Sequence, residues 1–192
     1  LEPGWEKNLL GKGASSVYRG TYSQTGEQVA VKVIELQPKE QEQKQLETIT
    51  EIKALQVLNE CAQYSVRYID AFVDTDKNRI LVIMEMLNGV SISHITEKLS
   101  KEKDISKMTD PTLDEIIDII EPLIKSLACV HKHGIVHRDI KPDNILWIKD
   151  ANGKLSGTIK LIDYGLSCFI KPKDGDVAKC SDFGGNINIE FL

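Results

Sequence analysis

The densest chemistry in the chain lies in one octapeptide, His137, Arg138, Asp139, Ile140, Lys141, Pro142, Asp143 and Asn144. Six of its side chains are polar and one more is proline, yet it sits between an apolar helical run and an apolar strand-like run. In that order, an Asp, a Lys two positions on and an Asn five positions on could serve a hydroxyl, a phosphate and a metal ion. A solvated loop needs no such order. Three further stretches offer compatible groups. Gly11, Lys12 and Gly13 lie between two strand-like runs, where glycine lets backbone N–H groups come close to a phosphate. No GK[ST] follows and no helix begins there, which excludes a Walker loop. Lys32 stands in the middle of the apolar run Val29–Val33, and Glu51, 19 positions later, is a carboxylate that could hold its ammonium in place.

The elements that must position these groups follow from periodicity. Trp5–Leu10, Val17–Tyr22 and Gln28–Leu36 read as strands separated by glycine-containing turns. Leu46, Ile49, Ile52, Leu55 and Leu58 recur at helical spacing and predict an amphipathic helix. Arg67–Val73 and Arg79–Met86 are further strands. Residues 111–133 read as a helix capped by Thr109 or Asp110, with Pro122 expected to kink it or mark a boundary. Asn144–Ile148 and Thr158–Ile162 form a last pair of strands around the turn Asp150–Gly153. A β-rich half followed by a helical half predicts an α+β fold in two lobes, residues 1–86 and 87–192.

Taken together, these motifs resemble those of eukaryotic protein kinases of the serine/threonine type: glycine-rich loop, VAIK-type lysine, helix glutamate, HRD loop and DFG, in the right order. The resemblance implies a two-lobed kinase fold, a small antiparallel β lobe with one key helix followed by a truncated helical lobe. It implies ATP and Mg²⁺ as cofactors, and Ser/Thr hydroxyls of proteins as acceptors. Gly11, Lys12 and Gly13 would cover the ATP phosphates, and Lys32 would contact them while paired with Glu51. Met84 would be the gatekeeper, Glu85 and Leu87 would offer backbone groups to adenine, and Val17, Ala30 and Leu146 would sandwich the base. Asp139 would accept the substrate's proton, with Lys141 beside it, and Asn144 would bind Mg²⁺. For the second metal ligand Asp163, in Asp163-Tyr164-Gly165, competes with Asp182, in a literal Asp182-Phe183-Gly184. Asp163 follows a strand and lies closer to Asp139 in sequence, so it is the choice, with Tyr164 keeping the packing role of the phenylalanine where its hydroxyl finds a partner.

The chain departs from the pattern in three places. Ser16 replaces the third loop glycine, and the loop reads one residue short, with Val17 rather than Tyr18 fitting the strand valine. No APE motif follows Ser167, so the chain reads as a fragment of a longer kinase. A catalytically inactive kinase-like binding module is the alternative, and a small-molecule kinase is disfavoured by Lys141.

Composition narrows the rest. The 192 residues carry 24 Lys+Arg against 29 Asp+Glu, a net charge of −5, which gives no reason to expect a nucleic-acid partner. The longest unbroken apolar run, Ile80–Met84, is far short of a membrane span. Four cysteines without a CxxC pair suggest neither a disulfide framework nor a zinc site, so an intracellular location is expected, cytoplasmic with the nucleus as the alternative. His131, His133 and His137 show no partners that would make a metal site, and Lys39–Lys44 reads as a solvated helix entry. Nothing selects Ser167, Ser181 or Cys180 as a modification site.

Overall fold

The computed structural model describes residues 1–13, 15–36, 41–100, 113–173 and 176–181. Five antiparallel strands build the first sheet: β1 (Leu9–Lys12), β2 (Ser16–Tyr22), β3 (Glu27–Glu35), β4 (Tyr68–Asp74) and β5 (Arg79–Glu85), in the order β1-β2-β3-β5-β4. The N-terminal strand begins later than the expected Trp5–Leu10 and runs on through Gly11 and Lys12, because Trp5–Lys7 turns as a 3-10 helix. Strand β3 is central and its alternation separates two faces. Val29, Val31 and Val33 join Tyr22, Leu81 and Ile83 in a core on one side. Ile34, Val82 and Met84 belong to the larger core on the other side. Lys32, which shares the second face, is only 7% exposed.

Helix α1 (Gln41–Val57) packs on that second face and runs directly into a 3-10 turn, Leu58–Cys61. Its buried row is Thr48, Glu51, Ile52 and Leu55, the i, i+3, i+4, i+7 set of one helical face. Spacing by threes, as in Leu46, Ile49 and Ile52, drifts around a helix of 3.6 residues per turn. Leu46 and Ile49 accordingly end half-buried, and Glu51 falls inside the buried stripe. The buried Thr48 and Thr50 hydroxyls are satisfied by the carbonyls of Lys44 and Leu46, at 2.7 and 2.9 Å.

Beyond Glu85 come β6 (Gly89–Ser91), α2 (Ile92–Ser100), α3 (Leu113–Lys132), β7 (Ile135–Val136), β8 (Ile145–Lys149), β9 (Leu155–Leu161), β10 (Cys168–Lys173) and β11 (Asp176–Ser181). They form two small sheets, β6-β8-β9 and β11-β10-β7. Helix α3 continues through Pro122, so neither boundary nor break occurs there. Gly134 (φ +68°) ends the helix in the left-handed region, its N–H donating to the His131 carbonyl at 2.9 Å. Elements β6, α2, β7, β10 and β11 are additions to the sequence reading. The expected caps Thr109 and Asp110 lie outside the described residues.

The two halves are joined by more than the connector. Ser65 and Leu161 form a parallel bridge, the Val66 N–H donates to the Leu161 carbonyl (3.0 Å), and the Leu161 N–H donates to the Tyr64 carbonyl (2.8 Å). One core runs from Leu55 and Leu58 through Val66 to Val130, Ile135, Ile159 and Tyr164.

The cysteine expectation is overturned. Cys61 and Cys129, 68 positions apart, form a disulfide, and Cys168 is disulfide-bonded as well. Local spacing carries no trace of a pair that the fold, not the sequence, brings together. Paired cysteines give no reason to expect a reducing compartment. Among the described residues no helix is long and apolar enough to cross a membrane.

Candidate active site

Lys32 is fixed from both sides by the ladder, facing Val17 on β2 and Val82 on β5. Its ammonium donates to Glu51 Oε1 at 2.5 Å and to Asp163 Oδ1 at 2.8 Å. Glu51 is 3% exposed and Asp163 stands at the mouth of the cleft. Burial alone would strip the proton from Lys32, but the two carboxylates more than offset it and hold its pKa above the usual value. Burial likewise opposes ionisation of Asp163, yet the Lys32 charge and hydrogen bond keep it below the usual carboxylate range. For Glu51, wholly enclosed, burial wins and raises the pKa despite Lys32.

The polar octapeptide folds as a loop followed by the 3-10 turn Pro142–Asn144. Asp139 Oδ2 accepts from Lys141 Nζ (2.7 Å) and from Asn144 Nδ2 (2.8 Å), and the Asp139 carbonyl accepts from the same amide at 2.9 Å. The Lys141 hydrogen bond, then that from Asn144, lowers the Asp139 pKa, leaving an ionised carboxylate. Because the Asn144 amide nitrogen is committed to Asp139, its oxygen is the atom left for a cation.

His137 ties this loop to the segment bearing Asp163. Its Nδ1 accepts the Asp139 backbone N–H (3.3 Å) while Nε2–H donates to the Ile162 carbonyl (3.1 Å). One nitrogen accepts and the other donates, so the ring is neutral, and burial depresses its pKa. The Tyr164 ring packs against it, centroid to centroid at 4.7 Å. Tyr164 is fully buried, as expected of an aromatic there, but its hydroxyl makes no hydrogen bond, although Ser65 lies nearby. Arg138 and Asp163 both adopt φ +63°, a left-handed conformation that is costly for residues other than glycine. Arg138 is held by the carbonyls of Leu166 and Ser167.

Two adjoining cavities meet at these groups. The first, about 430 Å³, is walled by Leu10, Gly11, Gly13, Val17, Ala30, Val66, Met84, Leu87, Leu146 and Ile162, with Glu85 and Met86 along the connector. The second, about 690 Å³, holds Asp139, Lys141, Lys44, Glu47 and Leu166; Lys32, Glu51, Asn144 and Asp163 border both. Every expected nucleotide-site residue except Lys12 therefore lines the first cavity, and Lys12 is exposed outside both. The Glu85 carboxylate is engaged by the Arg67 N–H (2.8 Å) and by Lys160, and the Glu85 N–H donates to the Arg67 carbonyl at 3.0 Å. Lys44 also borders the second cavity, so the charged helix entry is not wholly turned to water.

Sequence reasoning missed Leu10, Val66, Ile162 and Asp143 as lining residues, and His137 as a link. Apolar strand residues carry no signal of which face meets a cleft. His131, His133 and His137 do not converge: His131 is exposed, His137 faces Ile162, and His133 faces the Cys61–Cys129 pair. Asp182, the competitor of Asp163, lies outside the described residues. Ser167 is buried.

A family model described as the protein kinase domain matches residues 5–184. The liver/testis isoform of the phosphorylase b kinase gamma catalytic chain from Bos taurus is 30% identical over 171 residues, covering 86% of this chain and 38% of that protein. Calcium-dependent protein kinase 8 of Arabidopsis thaliana is 29% identical over 180 residues, covering 86% of this chain and 28% of that one. CBL-interacting serine/threonine-protein kinase 16, from the same plant, is 30% identical over 168 residues, covering 86% and 32% respectively. The chain thus spans well under half the length of these relatives.

Proposed function

The chain belongs to the protein kinase domain family, and from that premise we propose that it transfers the γ-phosphoryl group of ATP to Ser or Thr hydroxyls of proteins, with Mg²⁺. The observation that carries the reading is the convergence of Lys32, Glu51 and Asp163 within 2.8 Å, at the junction of an apolar cavity and a polar one. The donor set fits: Asn144 Oδ1 and the Asp163 carboxylate are oxygen ligands suited to a hard cation. When bound, the nucleotide supplies the transferable group and the cation neutralises charge on its oxygens.

The chain's own residues do the positioning. Val17, Ala30, Met84 and Leu146 offer apolar surface to a purine, and the Glu85 carbonyl and the Leu87 backbone offer hydrogen-bonding groups along one edge. Gly11 and Gly13, without side chains, let the loop backbone come close to the phosphates. Lys32, held by Glu51, places a fixed positive charge where phosphate oxygens lie. Asp139, ionised and oriented by Asn144, accepts the proton of the acceptor hydroxyl, and Lys141 beside it balances the charge that develops. His137 keeps Asp139 and Asp163 in one frame.

The test is phosphate transfer from labelled ATP to a mixed protein acceptor, with phosphoamino-acid analysis of the product. Asp139→Asn and Asp163→Asn should each lower turnover on the order of a thousandfold. Undiminished turnover in either variant would overturn the reading. Tight ATP binding by the wild-type protein with no transfer to any acceptor would instead mark a non-catalytic nucleotide-binding module.

A further inference from the structure

Cys61 closes the 3-10 turn that extends α1, ten positions beyond Glu51, and its sulfur is bonded to Cys129 on α3. Val57 keeps helical dihedrals (φ −63°, ψ −41°), so α1 passes into that turn without a joint. The bond therefore pins the far end of the element that aims Glu51 at Lys32. Its surroundings are not those of an inert staple. His133 Nδ1 lies 3.5 Å from Cys61 Sγ and 2.8 Å from the Cys129 carbonyl, and its Nε2 lies 3.1 Å from the Glu60 carboxylate. Cys61 is fully enclosed, whereas Cys129 is partly open to solvent.

We propose that the Cys61–Cys129 pair is a reversible thiol–disulfide switch that sets how firmly α1 holds Glu51 against Lys32, with His133 as the positioning residue for its cleavage. Its effect on nucleotide binding rests on the ATP-site reading above; the control of α1 does not. The reductant is a small or protein dithiol. Its thiolate attacks the accessible Cys129 sulfur, the S–S bond breaks, and Cys61 leaves as a thiolate beside His133, from which it takes a proton. The second thiol of the reductant then attacks the mixed disulfide and leaves as the oxidised dithiol, releasing Cys129 as a thiolate that takes up a proton from solvent. Two electrons and two protons thus pass from reductant to protein. The Cys129 carbonyl, and then Glu60, favour the protonated imidazole, the form that stabilises a leaving thiolate.

The experiment compares the intact protein, as wild type and as a Cys168→Ala variant that lacks the other disulfide, poised oxidised and reduced in dithiothreitol buffers, with the state of each thiol read by alkylation and mass spectrometry. Hydrogen exchange of the α1 amides and Mg·ATP affinity are measured in each state. Reduction should speed exchange across residues 44–57 and weaken ATP binding, each about tenfold. His133→Gln should slow reduction without altering the end states. The proposal is overturned if α1 exchanges identically in both states, if the pair resists reduction in the native protein, or if the purified protein carries reduced cysteines holding an equivalent of zinc with His133. A change in α1 exchange with no ATP binding in either state supports the switch and counts against the ATP-site reading alone.

Discussion

Lys32 is the residue on which the site's electrostatics turn, because it is the cation facing both Glu51 and Asp163 at hydrogen-bond distance. Lys32→Met removes it without emptying the strand, leaving Glu51 enclosed and uncompensated, at a cost of about 3–5 kcal/mol. That cost depends on pH with a definite sign. A carboxyl whose folded-state pKa lies above its ordinary 4.5 destabilises the fold while ionised, and the penalty fades as pH falls through the raised value. The variant's deficit in denaturant unfolding should therefore be largest near pH 8 and smallest near pH 4.5; a constant deficit would show that Glu51 is not enclosed. Tyr164 presents the opposite case, a buried hydroxyl without a hydrogen bond. Tyr164→Phe should leave stability unchanged or raise it by up to about 1 kcal/mol, read from the same unfolding curves. Both residues were legible in sequence as types in a motif. That the tyrosine would fill the phenylalanine's place with its hydroxyl unpaired was not, since a hydroxyl's partner is a property of the packed interior.

At the scale of elements, β2 to β5 could be read from β-rich runs bounded by turn signals, whereas β1 could not be placed, because it begins at Leu9 and runs into the glycine-rich stretch. Helix α1 could be read as a helix, and Ile52, Leu55 and Leu58 of its apolar set are buried; its first turns were not legible, since Leu46 and Ile49 end half-buried while Thr48 and Glu51 are enclosed. That difference is why a charged residue on an apolar helix needed outside support before it could be placed in the core. Strands β6 and β7 are too short for any periodicity to register. Strand β6 is instead specified by contact, since a Cβ on Gly89 would meet the Trp147 carbonyl oxygen on β8 at 2.9 Å. Backbone cannot swing aside as a side chain can, so Gly89→Ala should cost about 1–3 kcal/mol and lower the melting temperature. An unchanged melting temperature would mean that β6 is not held against β8.

For the molecule as a whole, the five-stranded sheet, α1 and the polar loop are brought to one cleft by a core that ignores the sequence midpoint. Val66 lies before the connector and Ile159, Leu161 and Tyr164 after it, yet all share one buried cluster. What spacing could not convey was the seam between Tyr64–Val66 and Leu161, because a parallel contact between segments almost a hundred positions apart leaves no local pattern.

That seam has a consequence for how the polypeptide tolerates being severed. A protease cut between Leu87 and Gly89 removes one covalent link but leaves the main-chain bonds of Tyr64 and Val66 to Leu161, and the shared interior, in place. The two pieces should co-elute in native gel filtration even with dithiothreitol present, and part only in denaturant; separation under native reducing conditions would show that the connector alone holds them. Two independently expressed pieces meeting at that point would then find each other by the same seam, making the junction a place where this polypeptide can be supplied as complementing halves.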